Sequence, residues 1–196
     1  MQRLCGFGVN RLCVMIAFAF AGTNRLQAAE QVWNDAGADN GWSTHALNWD
    51  AGSAWANGNS AVFSGAGGTL AGETVEISNA VIVADITFQT NGYVIADADA
   101  NGTLTLSGGP TSVVTVVNAA DTAIISEVIA GTNGFMKAGN GVLCLTATNT
   151  YTGTTTVHAG VLRLQPGVLQ GLGATGTGNG QHGGRQWRDN RFQRLL

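Results

Sequence analysis

Four tryptophans lie close together near the start of the chain, and their planar side chains could bind a ligand by stacking. They are Trp33, Trp42, Trp49 and Trp55, and several Asn and Asp residues lie among them. Exposed together, the indoles would form a platform for sugar rings. Buried together, they would cover one end of a repetitive β-structure, whose terminal unit needs a cap. The sequence leaves both interpretations open and favours the cap.

Paired acidic residues are the other candidates for chemistry. Asp97 and Asp99 are two positions apart, a spacing that places two carboxylates on one face of a strand, but no aromatic or basic residue adjoins them. Asp35 and Asp39 lie in a loop whose oxygens suit calcium, yet their spacing matches no calcium-binding loop. We therefore predict no catalytic residue, no metal site and no cofactor, and expect a protein that is not an enzyme.

The composition favours a β-structure with few helices. The 196 residues include 29 Gly, and 11% are charged, whereas average soluble chains carry about 7% Gly and about 25% charged residues. Between positions 30 and 162, eleven acidic residues stand against one basic residue, Lys137. This excess of negative charge argues against a nucleic-acid partner, which requires a basic surface.

The first segment, residues 1–29, has the pattern of a secretory signal peptide. Arg3 and Arg11 precede an apolar stretch at 12–22, and small residues follow it. The stretch is too short for a permanent transmembrane helix. We expect it to be cleaved from an exported protein.

From position 31 onward, short runs of β-branched and alternating residues are separated by Gly, Asn, Asp and Ser. This pattern is typical of an all-β protein with many turns. The runs that predict strands are 60–63, 74–77, 81–88, 93–96, 103–107, 112–117, 123–129, 142–146, 154–157 and 161–164. Such short strands, with few Pro and Lys residues, favour a parallel β-helix with about 20–25 residues per coil, which gives about six coils over positions 33–164.

The segment 139–164 resembles the autotransporter-associated β-strand repeat, also called the passenger-associated transport repeat. The resemblance rests on an ordered motif with a Gly-x-Gly start and a hydrophobic end. Its characteristic residues are Asn149, Thr150, Tyr151, Thr152, Gly153, Val157, Gly160 and Leu162. Ala147 and Thr148 depart from the pattern, which usually has Gly before the Asn-Thr-Tyr sequence. Short pieces around the tryptophans, such as 33–35 and 47–49, are similar to the lead-in segments of bacterial proteins with this repeat.

The resemblance implies a right-handed parallel β-helix (β-solenoid) in a secreted or surface-exposed bacterial passenger segment. It also implies an outer-membrane translocator barrel in the full-length family pattern, which this sequence does not contain. Alternation predicts that Leu143, Leu145, Val157, Leu162 and Leu164 face the solenoid core. Asn149 can bond to neighbouring backbone at a corner, and Tyr151 is expected to cover the core or stack on an adjacent coil.

The domain organisation follows from these segments. We expect a signal peptide at 1–29, a Trp-rich lead-in or cap at 30–70, the β-solenoid at 71–180 and a disordered basic tail at 181–196. The tail carries four Arg and has no strand pattern. Back-translation with GC-rich codons, read one nucleotide later, restores repeat-like residues, so we expect a frameshift near position 180.

The function expected from the sequence is an exported, non-enzymatic scaffold with a role in adhesion. Its expected partners are surface polysaccharide or other passenger-type repeats. The alternative is a carbohydrate-binding module that uses Trp33, Trp42, Trp49 and Trp55.

Overall fold

The structure, a computed structural model, is all-β in the residues that it describes. These are 28–34, 39–65, 73–97, 99–165, 171–174, 178–182, 185–188 and 191–193. In them the strands are β1 (Glu30–Val32), β2 (Gly41–Trp42), β3 (Ser60–Phe63), β4 (Thr74–Ile77), β5 (Ala80–Val83), β6 (Ile86–Phe88), β7 (Val94–Ala96), β8 (Thr103–Leu106), β9 (Thr111–Val116), β10 (Thr122–Ile125), β11 (Ile129–Ala130), β12 (Gly134–Ala138), β13 (Val142–Leu145), β14 (Thr155–Val157), β15 (Val161–Leu164), β16 (Gly178–His182), β17 (Arg185–Arg188) and β18 (Arg191–Gln193).

The strands stack into three sheets that run along one solenoid. The first sheet has the order β1-β3-β6-β9-β12-β14-β16 and continues into β17 and β18, the second has the order β2-β4-β7-β10-β13-β15, and the third β5-β8-β11. All pairs from β1 to β16 are parallel. Each of the sets β3–β5, β6–β8 and β9–β11 gives one strand to every sheet, which is the path of a coil. The predicted parallel β-solenoid is confirmed.

The register shows how many residues form one coil. In the first sheet Ala61 pairs with Ile86, Ile86 with Val114, Val114 with Lys137, and Lys137 with Val157, so successive rungs are 20 to 28 residues apart. This spacing brackets the predicted 20–25 residues. Neighbouring coils are held at the strand spacing of about 4.8 Å by backbone hydrogen bonds.

The core lies between the three sheets and is filled by every second residue of most strands, while all four residues of β3 are buried. In β9, for example, exposure alternates strictly, and Val114 and Val116 are buried. Leu143, Leu145, Val157 and Leu162 are buried as predicted, and the partly buried Leu164 packs against the core.

Two predicted strands are divided in the structure. The run 81–88 forms β5 and β6, because the chain turns at Ala84 and Asp85 and the Asp85 Oδ1 accepts the N–H of Val113 at 2.7 Å. The run 123–129 forms β10 and β11. Each break is a corner where the chain passes from one sheet to the next.

Some predictions lie partly or wholly outside the described residues. The expected signal peptide at 1–29 does so except for positions 28 and 29. The tail 181–196 was expected to be irregular, but its described backbone forms the end of β16 and the antiparallel pair β17–β18. The disorder and the frameshift expected for the tail stay predictions. The right-handed sense of the coil stays a prediction.

Candidate functional site

The tryptophan cluster is the first candidate, and the structure places all four side chains together at the β1–β2 end of the solenoid. Trp33 follows β1, Trp42 ends β2, and Trp49 and Trp55 lie in the connection to β3. Their ring centroids are 4.6 to 5.2 Å apart in four contacting pairs. Such short distances between tilted and edge-on rings are favourable aromatic contacts.

The cluster rests on the first layer of the core. The ring of Phe63 in β3 lies 5.5 Å from Trp42 and 5.7 Å from Trp49, and on its other side it stacks on Phe88 of the next coil at 5.1 Å. Trp33, Trp42 and Trp49 are 0% exposed and Trp55 is 2% exposed. The indole faces therefore cover the core and present no stacking platform to a sugar, which supports the cap interpretation.

The repeat motif is the second candidate, and its polar residues bind neighbouring coils. Asn149 is buried; its Oδ1 accepts the N–H of Ile129 at 2.9 Å, and its Nδ2 donates to the carbonyl of Gly171 at 2.8 Å. Ile129 belongs to the preceding coil and Gly171 to the following one. One side chain thus connects three consecutive coils, as the expected bonding of Asn149 to backbone at a corner requires.

Tyr151 also faces inward. Its side chain is buried, its ring is edge-on to Phe135 at 5.6 Å, and its hydroxyl bonds to the Oγ1 of Thr155 at 2.5 Å. Burial raises the pKa of Tyr151. The ring lies in the core and contacts Phe135 of the preceding coil edge-on, and a buried ring is not available to an external ligand.

Glycines in the motif allow the coils to approach closely. A Cβ on Gly153 would overlap the backbone nitrogen of Gly134 in the preceding coil. Gly160 has a φ of +68°, which L side chains rarely adopt, and a Cβ there would overlap the carbonyl oxygen of Gly141. Gly153 and Gly160 therefore allow the close stacking of neighbouring coils.

Lys137 is a buried polar residue that the sequence analysis did not single out for a role. It lies in β12 and faces the core, and its Nζ donates to the carbonyls of Ala138, Gly139 and Ala159 at 2.6, 2.9 and 3.2 Å. Burial lowers the pKa of Lys137 from 10.5 to about 8. The ammonium thus joins the corner after β12 to the corner of the next coil.

The acidic candidates take part in local turns. Asp97 accepts the N–H groups of Asp99 and Gly102, and Asp39 accepts the N–H of Gly41 and the side-chain amide of Asn48. Those two hydrogen bonds lower the pKa of Asp39. Asp35 lies outside the described residues. Within the described residues no group of three or more His, Cys, Asp or Glu side chains could hold a metal ion.

Among the described residues, Glu127 is the acidic residue that is buried. It is 5% exposed, its Oε1 accepts the N–H of Val128 at 2.8 Å, and burial raises its pKa, to which the charge of Asp97 adds.

An open groove of about 340 Å³ lies beside β2. Its polar lining includes Asp39, Ser43, His45 and Glu76. The Ser43 hydroxyl accepts the N–H groups of His45 and Ala46 at 3.2 and 3.0 Å, so this serine completes a turn.

No helix in the described part of the chain has the length and apolar character to cross a membrane.

These features define a parallel β-solenoid in which the side chains of Asn149 and Lys137 make polar contacts between coils. Residues 136–164 match the family Passenger-associated-transport-repeat. Over 176 residues the chain is 32% identical to "Adhesin BmaC autotransporter" of Brucella suis biovar 1 (strain 1330), an alignment that covers 82% of this chain and 5% of the relative. No solved structure matches the chain.

The chain is a passenger-associated transport repeat protein with a β-solenoid fold. It spans about 5% of the length of the adhesin that it matches. The relation to an autotransporter adhesin indicates a passenger-type segment of an exported or surface protein.

Proposed function

We propose that this chain is a non-enzymatic scaffold segment of an autotransporter passenger and that it serves adhesion at the cell surface. The observation that carries the proposal is the direction of the repeat side chains. Asn149 and Tyr151 are buried, and their polar groups bond within and between the coils. When the polar groups of a repeat bond to neighbouring coils, the stacked coils form a long and rigid solenoid.

The named relative supports the adhesive part of this proposal, because it is an adhesin. An elongated scaffold can carry binding surfaces away from a membrane, and its outer faces then provide the contacts. We propose surface polysaccharide or another passenger-type repeat as the partner. The buried tryptophan cluster offers no argument for a sugar-stacking site, so binding would use outward-facing residues of the sheets.

The test compares folded and unfolded chain on the same support. The full chain is coupled to microspheres, and their retention is measured on immobilised polysaccharides and on a layer of the same chain. We expect retention by the folded chain and none by chain that has been unfolded in urea and kept unfolded. Equal retention of the two preparations would contradict a scaffold-dependent adhesin.

A separate measurement tests whether the chain cleaves polysaccharides. The same polysaccharides are incubated with the chain, and their length distribution is measured by size-exclusion chromatography. We expect no change. Shortening that is lost in an Asp97→Asn variant would instead establish a hydrolase.

A further inference from the structure

Three strands form the edge of the solenoid at the end that carries the tryptophan cluster. β1, β2 and β5 are the terminal strands of the three sheets, and each pairs with a strand on one side only. In a parallel pair, alternate residues direct their N–H and C=O groups to opposite sides of the strand. The outer groups of a terminal strand are a template for strand addition by another chain.

At β1, residues 48–50 occupy the outer groups of Val32 and the N–H of Asn34. The N–H of Val32 donates to the Oδ1 of Asp50 at 2.8 Å, and the carbonyl of Val32 accepts the N–H of Asp50 at 2.9 Å. The N–H of Asn34, just beyond the strand, donates to the carbonyl of Asn48 at 2.9 Å. The Asp50 carboxylate thus takes the place of the carbonyl that a further strand paired with β1 would present to Val32.

On β2 the same device uses two side chains. The N–H of Gly41 donates to the Oδ1 of Asp39 at 3.0 Å, and its carbonyl accepts the Nδ2 of Asn48 at 2.9 Å. The Asn48 amide also bonds to Asp39, so the two side chains support each other. Both outer groups of Gly41 are therefore occupied.

On β5 the outer groups of Ile82 are occupied in the same way. Its N–H donates to the Oδ1 of Asn57 at 2.9 Å. Its carbonyl accepts the N–H of Gly58 at 2.8 Å and the indole N–H of Trp55 at 3.3 Å. Hence an Asn or Asp side chain closes an outer backbone group in each of the three sheets.

We propose that the segment 39–59, here called the capping segment, terminates the solenoid by replacing the preceding coil in all three sheets. Its Asp and Asn side chains occupy outer hydrogen-bonding positions of Val32, Gly41 and Ile82, which strands of a second copy would need. The tryptophans cover the core beneath. Coils then stack only on the side of β1 that pairs with β3. The chain does not associate end to end through the capped end. This inference does not depend on the adhesive function.

The test removes two of the side chains that close the edges, in the full chain. The variant is Asp50→Ala/Asn57→Ala, which deletes the acceptors for Val32 and Ile82. A matched control, Asp99→Ala/Asn140→Ala, makes the same change of composition at exposed positions. A rescue variant, Asp50→Asn/Asn57→Asp, keeps an oxygen acceptor at both positions and the same net charge.

Two measurements are made on each protein. Amide hydrogen exchange is followed by NMR at Val32 and Ile82, and association is followed by sedimentation velocity over a range of concentrations. We expect exchange about tenfold faster at both amides in the Ala variant and a concentration-dependent larger species. The control and the rescue variant should behave as the unchanged chain.

An Ala variant that stays monomeric, or one whose two amides exchange at the unchanged rate, would overturn the proposal. Association of the rescue variant to the same extent as the Ala variant would also overturn it. Tryptophan emission and far-UV circular dichroism show whether the Ala variant is folded. If it is unfolded, the single variants Asp50→Ala and Asn57→Ala are measured against the same criteria, each at its own amide.

Discussion

At the scale of single residues, Lys137 is the side chain least compatible with its position. It occupies the inward-facing row of the first sheet between Val114 and Val157, where the other members from Ala61 to Val157 are apolar. An ammonium in such a place loses hydration, which is costly unless acceptors replace the water. The carbonyls of Ala138, Gly139 and Ala159 supply these acceptors.

The lowered pKa of Lys137 predicts a dependence of stability on pH. Between about pH 8 and pH 10.5 this side chain holds fewer protons in the folded protein than in the unfolded chain. The free energy of unfolding therefore rises with pH across this window. We expect the unchanged chain to gain about 1–2 kcal/mol relative to Lys137→Met between pH 8 and pH 10.

The measurement is urea unfolding of both proteins at a series of pH values. The difference between them isolates Lys137, because all other titratable groups are present in both proteins. Parallel curves of unfolding free energy against pH would show that the Lys137 ammonium is not perturbed by folding.

At the scale of elements, the Asn149 side chain joins the coil of β11 to the coil that contains Gly171. Asn149→Ala removes both hydrogen bonds and leaves a buried N–H and a carbonyl without this partner. We expect the free energy of unfolding to fall by about 2–3 kcal/mol. Urea unfolding followed by far-UV circular dichroism measures the change.

The control for this variant is Asn140→Ala, at an exposed position in the corner between β12 and β13. It should change the free energy of unfolding by less than about 0.5 kcal/mol. If both variants lowered the free energy of unfolding equally, the hydrogen bonds of Asn149 between coils would not stabilise the protein more than an exposed Asn does.

Strands were predictable from the sequence where short runs of apolar and β-branched residues lie between turn residues. The bounds predicted for β3, β4 and β15 agree with the structure. The corner between β5 and β6 was missed because residues 80–84 are all apolar, so the sequence shows no alternation whose break would mark a corner. From β10 to β11 every second residue faces inward without a break, so the period of two does not mark that corner either.

β12 was not predicted at all, because its inward positions include Lys137. An alternation rule assigns a charged residue to the solvent side. Here three carbonyls that come together only in the folded chain make the inward position tolerable. Contacts of this kind depend on coil stacking and leave no local signal.

At the scale of the whole molecule, the sequence identified the tryptophan cluster and favoured a cap, but it left a stacking platform open. Both uses require the same residue type, and the deciding fact is the position of Phe63 beneath the rings. The closed edges were also not predictable, since Val32 and Asp50 are 18 positions apart and meet only because the connection folds back over β1.

The solenoid topology predicts that damage at one end stays strongest at that end. In a stack of repeats each coil contacts only its neighbours, so stability is the sum of local terms and interfaces. Trp42→Ala removes the ring that contacts Trp49, Trp55 and Phe63. We expect a loss of about 3–5 kcal/mol in the local stability of the capped end.

Hydrogen exchange followed by mass spectrometry measures this loss along the chain. Peptides from β1 to β4 should lose most protection in Trp42→Ala, and peptides from β12 to β15 should lose least. The matched variant is Leu162→Ala, a buried residue of β15 at the other end of the second sheet, and its gradient should run in the opposite direction. A uniform loss of protection in both variants would mean that the coils unfold as a single cooperative unit, because only then would the two ends respond alike.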